Sequence, residues 1–325
     1  MGQTMNISIK GVCNALLAND RILIVTHQSP DGDTFGSGYA LYYALRSIGK
    51  RACVVCSDEP PERYHFMLEG YEADEFEPQL VVAVDLADRQ LFGAKYAHLA
   101  DLVDICIDHH PSNSRYAKKV LLRAKASATC EIMYDVVKGL GAEFSKEICT
   151  CLYTGIATDT GCFRFSNTTA KAHRIAARLM EGGAPTAKIN RKMFETKSVS
   201  RLMIERQVLE SIEYYFDNRC AMISITQDML KTSGAEESEL DGISTLPRQI
   251  AGVQIGVMLR EKETGEFKVS MRTNDGFDAS KICGKLGGGG HMKAAGCVVP
   301  GGLDNAKRIL VETIAQYIQQ EPNAG

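Results

Sequence analysis

The sequence predicts an α/β protein with two domains, the first of which is built on a parallel sheet. Its 325 residues are enough for two domains of about 150 residues each. In the first half, short runs of almost continuously apolar residues alternate with segments of helical spacing. This alternation is typical of a parallel sheet with helices on both faces. A second, smaller α/β pattern with a mixed sheet follows a long helical stretch.

Four runs in the first half are expected to be buried strands, because each is nearly continuous in apolar residues. These runs are residues 21–27, 51–56, 80–85 and 103–108. Helical spacing is found at residues 36–49, 128–140, 145–158 and 169–181. The alternation predicts parallel strands, whose carboxyl ends lie side by side at one edge of the sheet.

The second half is expected to contain a connector helix and a smaller domain. We assign residues 1–190 to the first domain, 191–218 to the connector helix and 219–325 to the second domain. Within the connector, residues 198–216 contain few helix breakers. The expected elements of the second domain are strands at 220–226, 251–261 and 265–273, helices at 278–286 and 303–319, and a glycine loop between the two helices.

Composition and charge exclude several classes of function. The net charge of −3 and the pI of about 6.2 argue against a protein that coats long nucleic acid. The eleven cysteines show no zinc-ribbon spacing, and we interpret them as reduced core thiols. With no secretory signal recognised, they indicate a cytoplasmic protein. No apolar run approaches the roughly 18 residues of a membrane span.

Residues that can bind metal ions follow three of the predicted strands and one predicted helix. They are His27, Asp31, Asp33, Asp85, Asp108, His109, His110 and Asp159. Because the ends of parallel strands converge, we expect these side chains to meet in one crevice. Taken alone, Asp31 and Asp33 are better explained as caps of the following helix.

A cluster of this composition predicts a two-metal site. Closely packed carboxylates repel one another unless cations neutralise them. Mixed imidazole and carboxylate ligands suit manganese, iron, cobalt or zinc better than magnesium. Two histidines and four aspartates of this cluster form the expected ligand set: His27, Asp31, Asp33, Asp85, His109 and Asp159. Six ligands exceed the needs of one open site and fit two metals about 3.5–4 Å apart that share a carboxylate. The predicted chemistry is in-line hydrolysis of a phosphate ester by water, without a covalent intermediate.

Four motifs stand in the order found in one known family. They are HQSPDGDTFGS, VAVDLAD, DHHPSN and TGIATDTG. Together they resemble the motif set of the DHH phosphoesterase family over roughly residues 15–185. The resemblance implies two divalent ions, with Mn²⁺ favoured. It implies that one ion is held by His27, Asp31 and Asp85, and the other by Asp33, Asp85, His109 and Asp159.

The same resemblance implies catalytic roles for three residues of the cluster. Asp85, which bridges the metals, and Asp108, which orients a histidine, would support catalysis. His110 would face the substrate and donate a proton to the leaving oxygen.

The second domain carries a glycine-rich motif of its own, GGGGHMKAAG at residues 287–296. Such a run is either a flexible loop or a place where backbone N–H groups approach a phosphate closely. It resembles the signature of the DHH-associated domain, and Arg272 matches that domain's substrate-binding arginine. The resemblance implies substrate binding by Arg272, Gly288, Gly289, Gly290 and His291.

Within this family, the pairing of the two domains resembles the nano-RNases. This implies hydrolysis of very short RNA to nucleoside 5′-monophosphates, and dephosphorylation of 3′-phosphoadenosine 5′-phosphate. A homodimer is one expectation for the assembly, and no long nucleic acid is expected as a partner.

Several alternative functions stay open at this point. A phosphodiesterase for cyclic di-AMP or its linear product would use the same motifs. The glycine run argues against a pyrophosphatase or exopolyphosphatase. A RecJ-type exonuclease is disfavoured because the chain leaves no room for an additional nucleic-acid domain. The complete ligand set argues against a non-catalytic nucleotide sensor.

Overall fold

Two six-stranded sheets organise the chain, one in each of its two units. The computed structural model describes residues 4–240, 242–274 and 276–320, so residues 321–325, the end of the predicted second domain, lie outside it. The two units are Met1–Thr196 and Lys197–Gly325. Parallel pairing in the first sheet and mixed pairing in the second confirm the predicted fold class.

The sheet of the first unit is parallel throughout, in the order β1-β6-β5-β4-β2-β3. Its strands are β1 (Met5–Asn6), β2 (Ile22–Val25), β3 (Ala52–Val55), β4 (Leu80–Val84), β5 (Ile105–Asp108) and β6 (Lys119–Leu122). The four predicted strands are β2 to β5. The order places β2, β4 and β5 next to one another, so their carboxyl ends meet at one edge.

Helices cover this sheet on one face, and shorter helical turns cover the other. The helices of the first face are α1 (Ile9–Ala18), α2 (Gly32–Ser47), α4 (Thr129–Leu140), α5 (Lys146–Asp159), α6 (Ala170–Glu181) and α7 (Thr186–Asn190). The short helix α3 (Gly93–Tyr96) lies among the turns of the other face. Alternate residues of β2 point to opposite faces of the sheet. Ile22 and Ile24 pack with α1, α2, α4 and α5. Val25 packs with the turns at Arg89–Phe92 and Ala97–Asp101. Both faces are therefore buried, which explains the nearly continuous apolar runs.

The second unit places helices on both faces of a mixed sheet of order β11-β12-β10-β9-β8-β7. Its elements are α8 (Val199–Glu210), β7 (Glu213–Tyr215), β8 (Cys220–Ile225), α9 (Gln227–Ser233), β9 (Ile255–Glu261), β10 (Phe267–Thr273), α10 (Ala279–Gly284), β11 (Gly289–His291), β12 (Ala294–Val299) and α11 (Leu303–Gln320). Helices α10 and α11 pack on one face, and α8 and α9 pack on the other.

The prediction of one helix from residue 198 to 216 is wrong after Glu210. Helix α8 ends at Glu210, and Glu213–Tyr215 form a strand that pairs with β8. The two tyrosines favour a strand, and the Ser211 hydroxyl bonds to the backbone of Ser224 in β8. In addition, residues 191–195 form a single π-helical turn. The role of residues 191–218 as a connector stays a prediction.

The expected glycine loop is also different in the structure. Gly289–His291 form the edge strand β11, which pairs with β12. The backbone of Gly290 has a φ of 146°, and a Cβ there would lie 2.5 Å from the carbonyl oxygen of Ala294. Glycine is therefore needed for β11 to lie this close to β12.

The cysteines agree with the expected reduced thiols, since all eleven are free and nine are buried. A search of the described residues finds no helix with the length and apolar character that crossing a bilayer requires.

Close packing of α2 on α5 gives a test of the first unit. A Cβ at Gly36 would lie 2.5 Å from the carbonyl oxygen of Cys151, so Gly36→Ala forces the two helices apart. We expect thermal or urea unfolding to show a loss of about 1–3 kcal/mol.

Gly11→Ala is the matched control for this prediction. Its Cβ would meet the side chain of Ile7, which is partly exposed and can move aside. We expect this variant to be as stable as the parent or slightly more stable. Equal losses for both variants would contradict the packing argument.

Candidate metal centre

The carboxyl ends of three neighbouring strands carry the polar side chains of the site. His27 follows β2 by two residues, Asp85 follows β4 directly, and Asp108 is the last residue of β5, with His109 after it. Since β2, β4 and β5 are adjacent and parallel, these residues meet at one edge. The convergence expected from the sequence is therefore present.

Asp85 lies between two histidines. Its carboxylate Oδ2 is 3.7 Å from Nε2 of His27, and its Oδ1 is 3.8 Å from Nε2 of His109. The residue is 2% exposed, and its backbone is left-handed with a φ of 56°. Such a conformation costs about 1–3 kcal/mol for a non-glycine residue and often marks a functional site.

Asp33 is buried against the first turn of α4. Its carboxylate accepts hydrogen bonds from the backbone N–H groups of Thr129 at 2.6 Å and Cys130 at 2.8 Å. The Thr129 hydroxyl in turn donates to Oδ1 of Asp85 at 2.7 Å. The positive end of a helix thus stabilises a buried carboxylate and fixes its neighbour.

Asp31 and Asp159 complete the set of carboxylates. Asp31 caps α2, accepting from the N–H groups of Asp33 and Thr34, and the same oxygen lies 3.7 Å from Nε2 of His27. Asp31 therefore caps α2, and its carboxylate is also placed to bind a metal ion. Asp159 is the last residue of α5, and its Oδ2 is 3.3 Å from Nε2 of His109.

The orientation of the two histidines suits metal binding. Nδ1 of His27 is 2.7 Å from the carbonyl oxygen of Gln28, and Nδ1 of His109 is 3.3 Å from that of Ala126. A ring nitrogen that faces a carbonyl oxygen carries a proton, so Nε2 is the nitrogen that each ring turns toward the carboxylates and has available for a metal ion.

The ring of His110 is held by the buried carboxylate of Asp108, not by a carbonyl oxygen. Its Nδ1 lies 2.8 Å from Oδ1 of Asp108, whose Oδ2 accepts from the Asn113 amide at 2.6 Å. The Asp108 hydrogen bond raises the pKa of His110 to about 9. Its ring is 42% exposed, which leaves Nε2 open to solvent.

The buried carboxylates repel one another, which contributes to the rise in their pKa values. Burial and the nearby charges of Asp159 and Asp31 raise the pKa of Asp33 to about 7. Burial and Asp85 raise the pKa of Asp159 to about 8, and the pKa of Asp85 is raised well above its usual range by burial and Asp33. Burial lowers the pKa of His27, but Asp31 outweighs it and the pKa rises to about 9.

This donor set fits divalent ions. Three groups of residues each bring ligand atoms within 4.8 Å of one another: His27, Asp31 and Asp85; Asp33, His109 and Asp159; and Asp85, His109 and His110. Apart from the 3.3 Å between His109 and Asp159, the nitrogen–oxygen separations are 3.7–3.9 Å, which is too long for hydrogen bonds. These separations are close to the distance of roughly 3–3.5 Å that lies between two ligand atoms of the same ion, when each atom binds the ion at about 2.1 Å.

The predicted residues of the second unit also share a location. Arg272 in β10 pairs with Ala294 in β12, which pairs with His291 in β11. Arg272 and His291 therefore lie on the same face of the sheet, two strands apart. The substrate-binding roles of these two residues and of the three glycines stay predictions.

Two contributors to the metal centre were not foreseen from the sequence. Thr129 was placed only within a predicted helix, and nothing in the pattern shows that the start of this helix meets Asp33. Asn113 belongs to the DHHPSN motif, and its position five residues after Asp108 was the only sign in the sequence that it contacts this carboxylate.

Two family profiles match most of the chain. The DHH family, N-terminal domain, matches residues 21–156, which include most of the cluster. The DHHA1 domain matches residues 222–320, which include Arg272 and His291.

Two named proteins and a solved structure are similar to this chain over almost its full length. The bifunctional oligoribonuclease and PAP phosphatase NrnA of Thermus thermophilus is 36% identical, over 91% of this chain and 90% of the relative. The protein of the same name from Bacillus subtilis is 27% identical, over 90% and 93%. The crystal structure of an exopolyphosphatase-related protein from Bacteroides fragilis has a TM-score of 0.86 and 26% identity, and covers 97% of each chain.

The hydroxyl of Thr129 gives a test of the metal centre that does not depend on turnover. Thr129→Val keeps the shape of the side chain and removes the hydrogen bond to Asp85. We expect Mn²⁺ affinity, measured by calorimetric titration, to fall about 10- to 100-fold, as is typical when a partner of a metal ligand is lost. Thr129→Ser keeps the hydroxyl and should bind as the parent does. An unchanged affinity in Thr129→Val would remove Thr129 from the site.

Proposed function

Because the chain belongs to the DHH family, we propose that it is a two-metal phosphoesterase that acts on short oligoribonucleotides and 3′-phosphoadenosine 5′-phosphate. Membership of the DHH family confirms the resemblance that the four motifs indicated. The chain is a metal-dependent hydrolase. The proposed products are nucleoside 5′-monophosphates from RNA and AMP from the bisphosphate.

One observation carries the two-metal proposal: the two oxygens of Asp85 face different histidines. Oδ2 faces His27 and Oδ1 faces His109. A carboxylate in this position can bind two ions at once, with His27 and Asp31 on one side and His109 on the other. Asp33 and Asp159 would complete the second set.

When bound, two divalent ions would withdraw charge from the phosphoryl oxygens and lower the barrier to attack by water. The carboxylates hold the positions where these ions bind, and burial of Asp33 and Asp85 keeps competing water away from them. The hydrogen bonds from Thr129 and Cys130 fix the carboxylates before substrate arrives, so little reorganisation is needed.

His110 is placed to move a proton to the leaving oxygen. Its Nδ1 is engaged by Asp108, so any proton it transfers must be carried on Nε2. Nδ1 also lies 3.6 Å from Oδ1 of Asp85, which places the ring beside the proposed metal ligands. We therefore propose His110 as the general acid, and Asp108 as the group that orients it.

The substrate proposal is supported by the names of the relatives. The proteins from Thermus thermophilus and Bacillus subtilis are both named for oligoribonuclease and PAP phosphatase activity and match about nine-tenths of this chain. A net charge of −3 suits short substrates better than long polymers. Mn²⁺ as the bound metal, a cytoplasmic location and a homodimer stay predictions.

One substrate panel tests this proposal. With Mn²⁺ added, we expect turnover of a short RNA and of 3′-phosphoadenosine 5′-phosphate, and little turnover of cyclic di-AMP or pyrophosphate. Product analysis by ion-exchange chromatography should show nucleoside 5′-monophosphates and AMP. Faster hydrolysis of cyclic di-AMP or pyrophosphate than of the short RNA would overturn the substrate assignment.

Asp85→Ala tests the bridging role. Because both proposed ions share this carboxylate, we expect hydrolysis to fall to background in the panel assay, while circular dichroism shows a folded protein. Asp101→Ala is the control, since the Asp101 side chain is 74% exposed and pairs only with Arg89 among the described residues. Substantial residual activity in Asp85→Ala would count against a shared ligand.

A further inference from the structure

Three ligands proposed for the second metal ion come from different parts of the chain. Asp33 lies in the first turn of α2, His109 follows β5, and Asp159 is the last residue of α5. The carboxylates of Asp33 and Asp159 repel each other across the site. This ligand set therefore needs contacts that hold the separate segments together before an ion is bound.

The segment at the beginning of α4 supports two of these ligands. The backbone N–H groups of the first two residues of α4 donate to the Asp33 carboxylate, and the carbonyl oxygen of Ala126 faces Nδ1 of His109. We call residues 126–130 the α4 start. Because both ligands contact the backbone of this segment, any shift of the α4 start would move them relative to Asp159.

One residue, Asn167, joins the α4 start to the end of α5. Its side-chain amide donates to the carbonyl oxygen of Ser127 at 3.0 Å and to that of Asp159 at 3.1 Å. Its own carbonyl oxygen accepts a hydrogen bond from the Ser127 hydroxyl at 2.7 Å. Asn167 thus connects the backbone of one ligand to the segment that supports the other two.

Ser127 is held firmly at the centre of this connection. It is fully buried, and its backbone N–H donates to the buried carboxylate of Glu131 at 3.0 Å. The N–H, carbonyl and hydroxyl groups of Ser127 are therefore all hydrogen-bonded, the last two to Asn167. Since the N-cap of α4 is Ala128, which has no side-chain acceptor, these contacts of Ser127 fix where the helix begins.

The loop that carries Asn167 has a strained backbone. Cys162 and Phe163 are left-handed, with φ angles of 58° and 62°, and they follow Gly161 at 55°. This conformation is unfavourable for residues other than glycine and persists only where the surrounding structure fixes it. The turn reverses the chain after α5 and returns Asn167 to the carbonyl oxygen of Asp159. Strain of this kind, directly after a proposed metal ligand, indicates a functional constraint on the loop.

We propose that Asn167 is a positioning residue for the second metal ion, because it fixes the backbone of Asp159 relative to the α4 start. This inference rests on the two-metal part of the proposed function. Side chains that hold metal ligands in place strengthen metal binding, since less reorganisation is needed when the ion arrives.

The first ion should depend less on this connection. Its proposed ligands His27 and Asp31 are held by other contacts, the first by the carbonyl oxygen of Gln28 and the second by N–H groups in the first turn of α2. Only Asp85, the proposed shared ligand, also contacts the α4 start, through the hydroxyl of Thr129. Loss of the Asn167 amide should therefore affect the two ions unequally.

Calorimetric titration with Mn²⁺ of the full chain, freed of metal by a chelator, tests this role without turnover. We expect two binding events in the wild type. In Asn167→Ala, one of the two affinities should fall about 10-fold, the lower end of the loss typical for partners of metal ligands, because the amide acts through the backbone. The other affinity should change little.

Asn19→Ala is the matched control. Its amide also donates to a helix carbonyl oxygen, that of Ala15 in α1 at 2.8 Å, but it lies near the beginning of β2, at the other edge of the sheet. Thermal unfolding in chelator should show similar small losses for both variants, and Asn19→Ala should bind both ions as the wild type does. Unchanged Mn²⁺ affinities in Asn167→Ala, or an equal fall for both ions, would overturn the positioning role.

Turnover separates this inference from the proposed function. If the wild type binds two ions and Asn167→Ala weakens one of them, but the wild type hydrolyses neither a short RNA nor 3′-phosphoadenosine 5′-phosphate, the substrate proposal fails and the positioning role stands. If the wild type hydrolyses both substrates and Asn167→Ala binds two ions as tightly as the wild type, the positioning role fails alone. A single binding event in the wild type would contradict both the two-metal proposal and this inference.

Discussion

The structure of the first unit depends on one costly arrangement, the burial of Asp33 and Asp85 side by side at the edge of the parallel sheet. Two unpaired charges there would disfavour folding, because burial raises the free energy of each carboxylate. The fold offsets this cost with the first turn of α4, whose N–H groups bond to Asp33 and whose Thr129 hydroxyl bonds to Asp85. The remaining repulsion is left for cations to neutralise.

The histidines follow one geometric rule. In His27, His109 and His110 alike, Nδ1 faces an oxygen acceptor and Nε2 is left for the site. The acceptor differs with the proposed role. Carbonyl oxygens behind His27 and His109 hold each ring with Nε2 toward the carboxylates, as a metal ligand requires. The carboxylate of Asp108 behind His110 raises the pKa of this ring, as a proton donor requires.

The sequence predicted what depends on local pattern and missed what depends on tertiary contact. Apolar runs such as Leu80–Val84 identified the central strands, and the polar residues after them identified the cluster. The two-residue strand β1 is too short to show a period, and β6 was missed although it is as long as β2, β3 and β5. Tyr214 and Tyr215 were assigned to a helix because the helical spacing before them continues, although pairing with β8 decides their conformation. No spacing rule could show that Thr129 meets Asp85.

The charge balance of the metal centre explains why it needs cations. Four aspartates gather around two histidines in the first unit, and burial raises the pKa of Asp33, Asp85 and Asp159 above the usual range of a carboxyl group. Divalent ions bound to these carboxylates would offset their mutual repulsion and favour the charged form of each one. Because ions held in this way would still attract negative oxygens, the charge of the site favours an anionic substrate such as a phosphate ester.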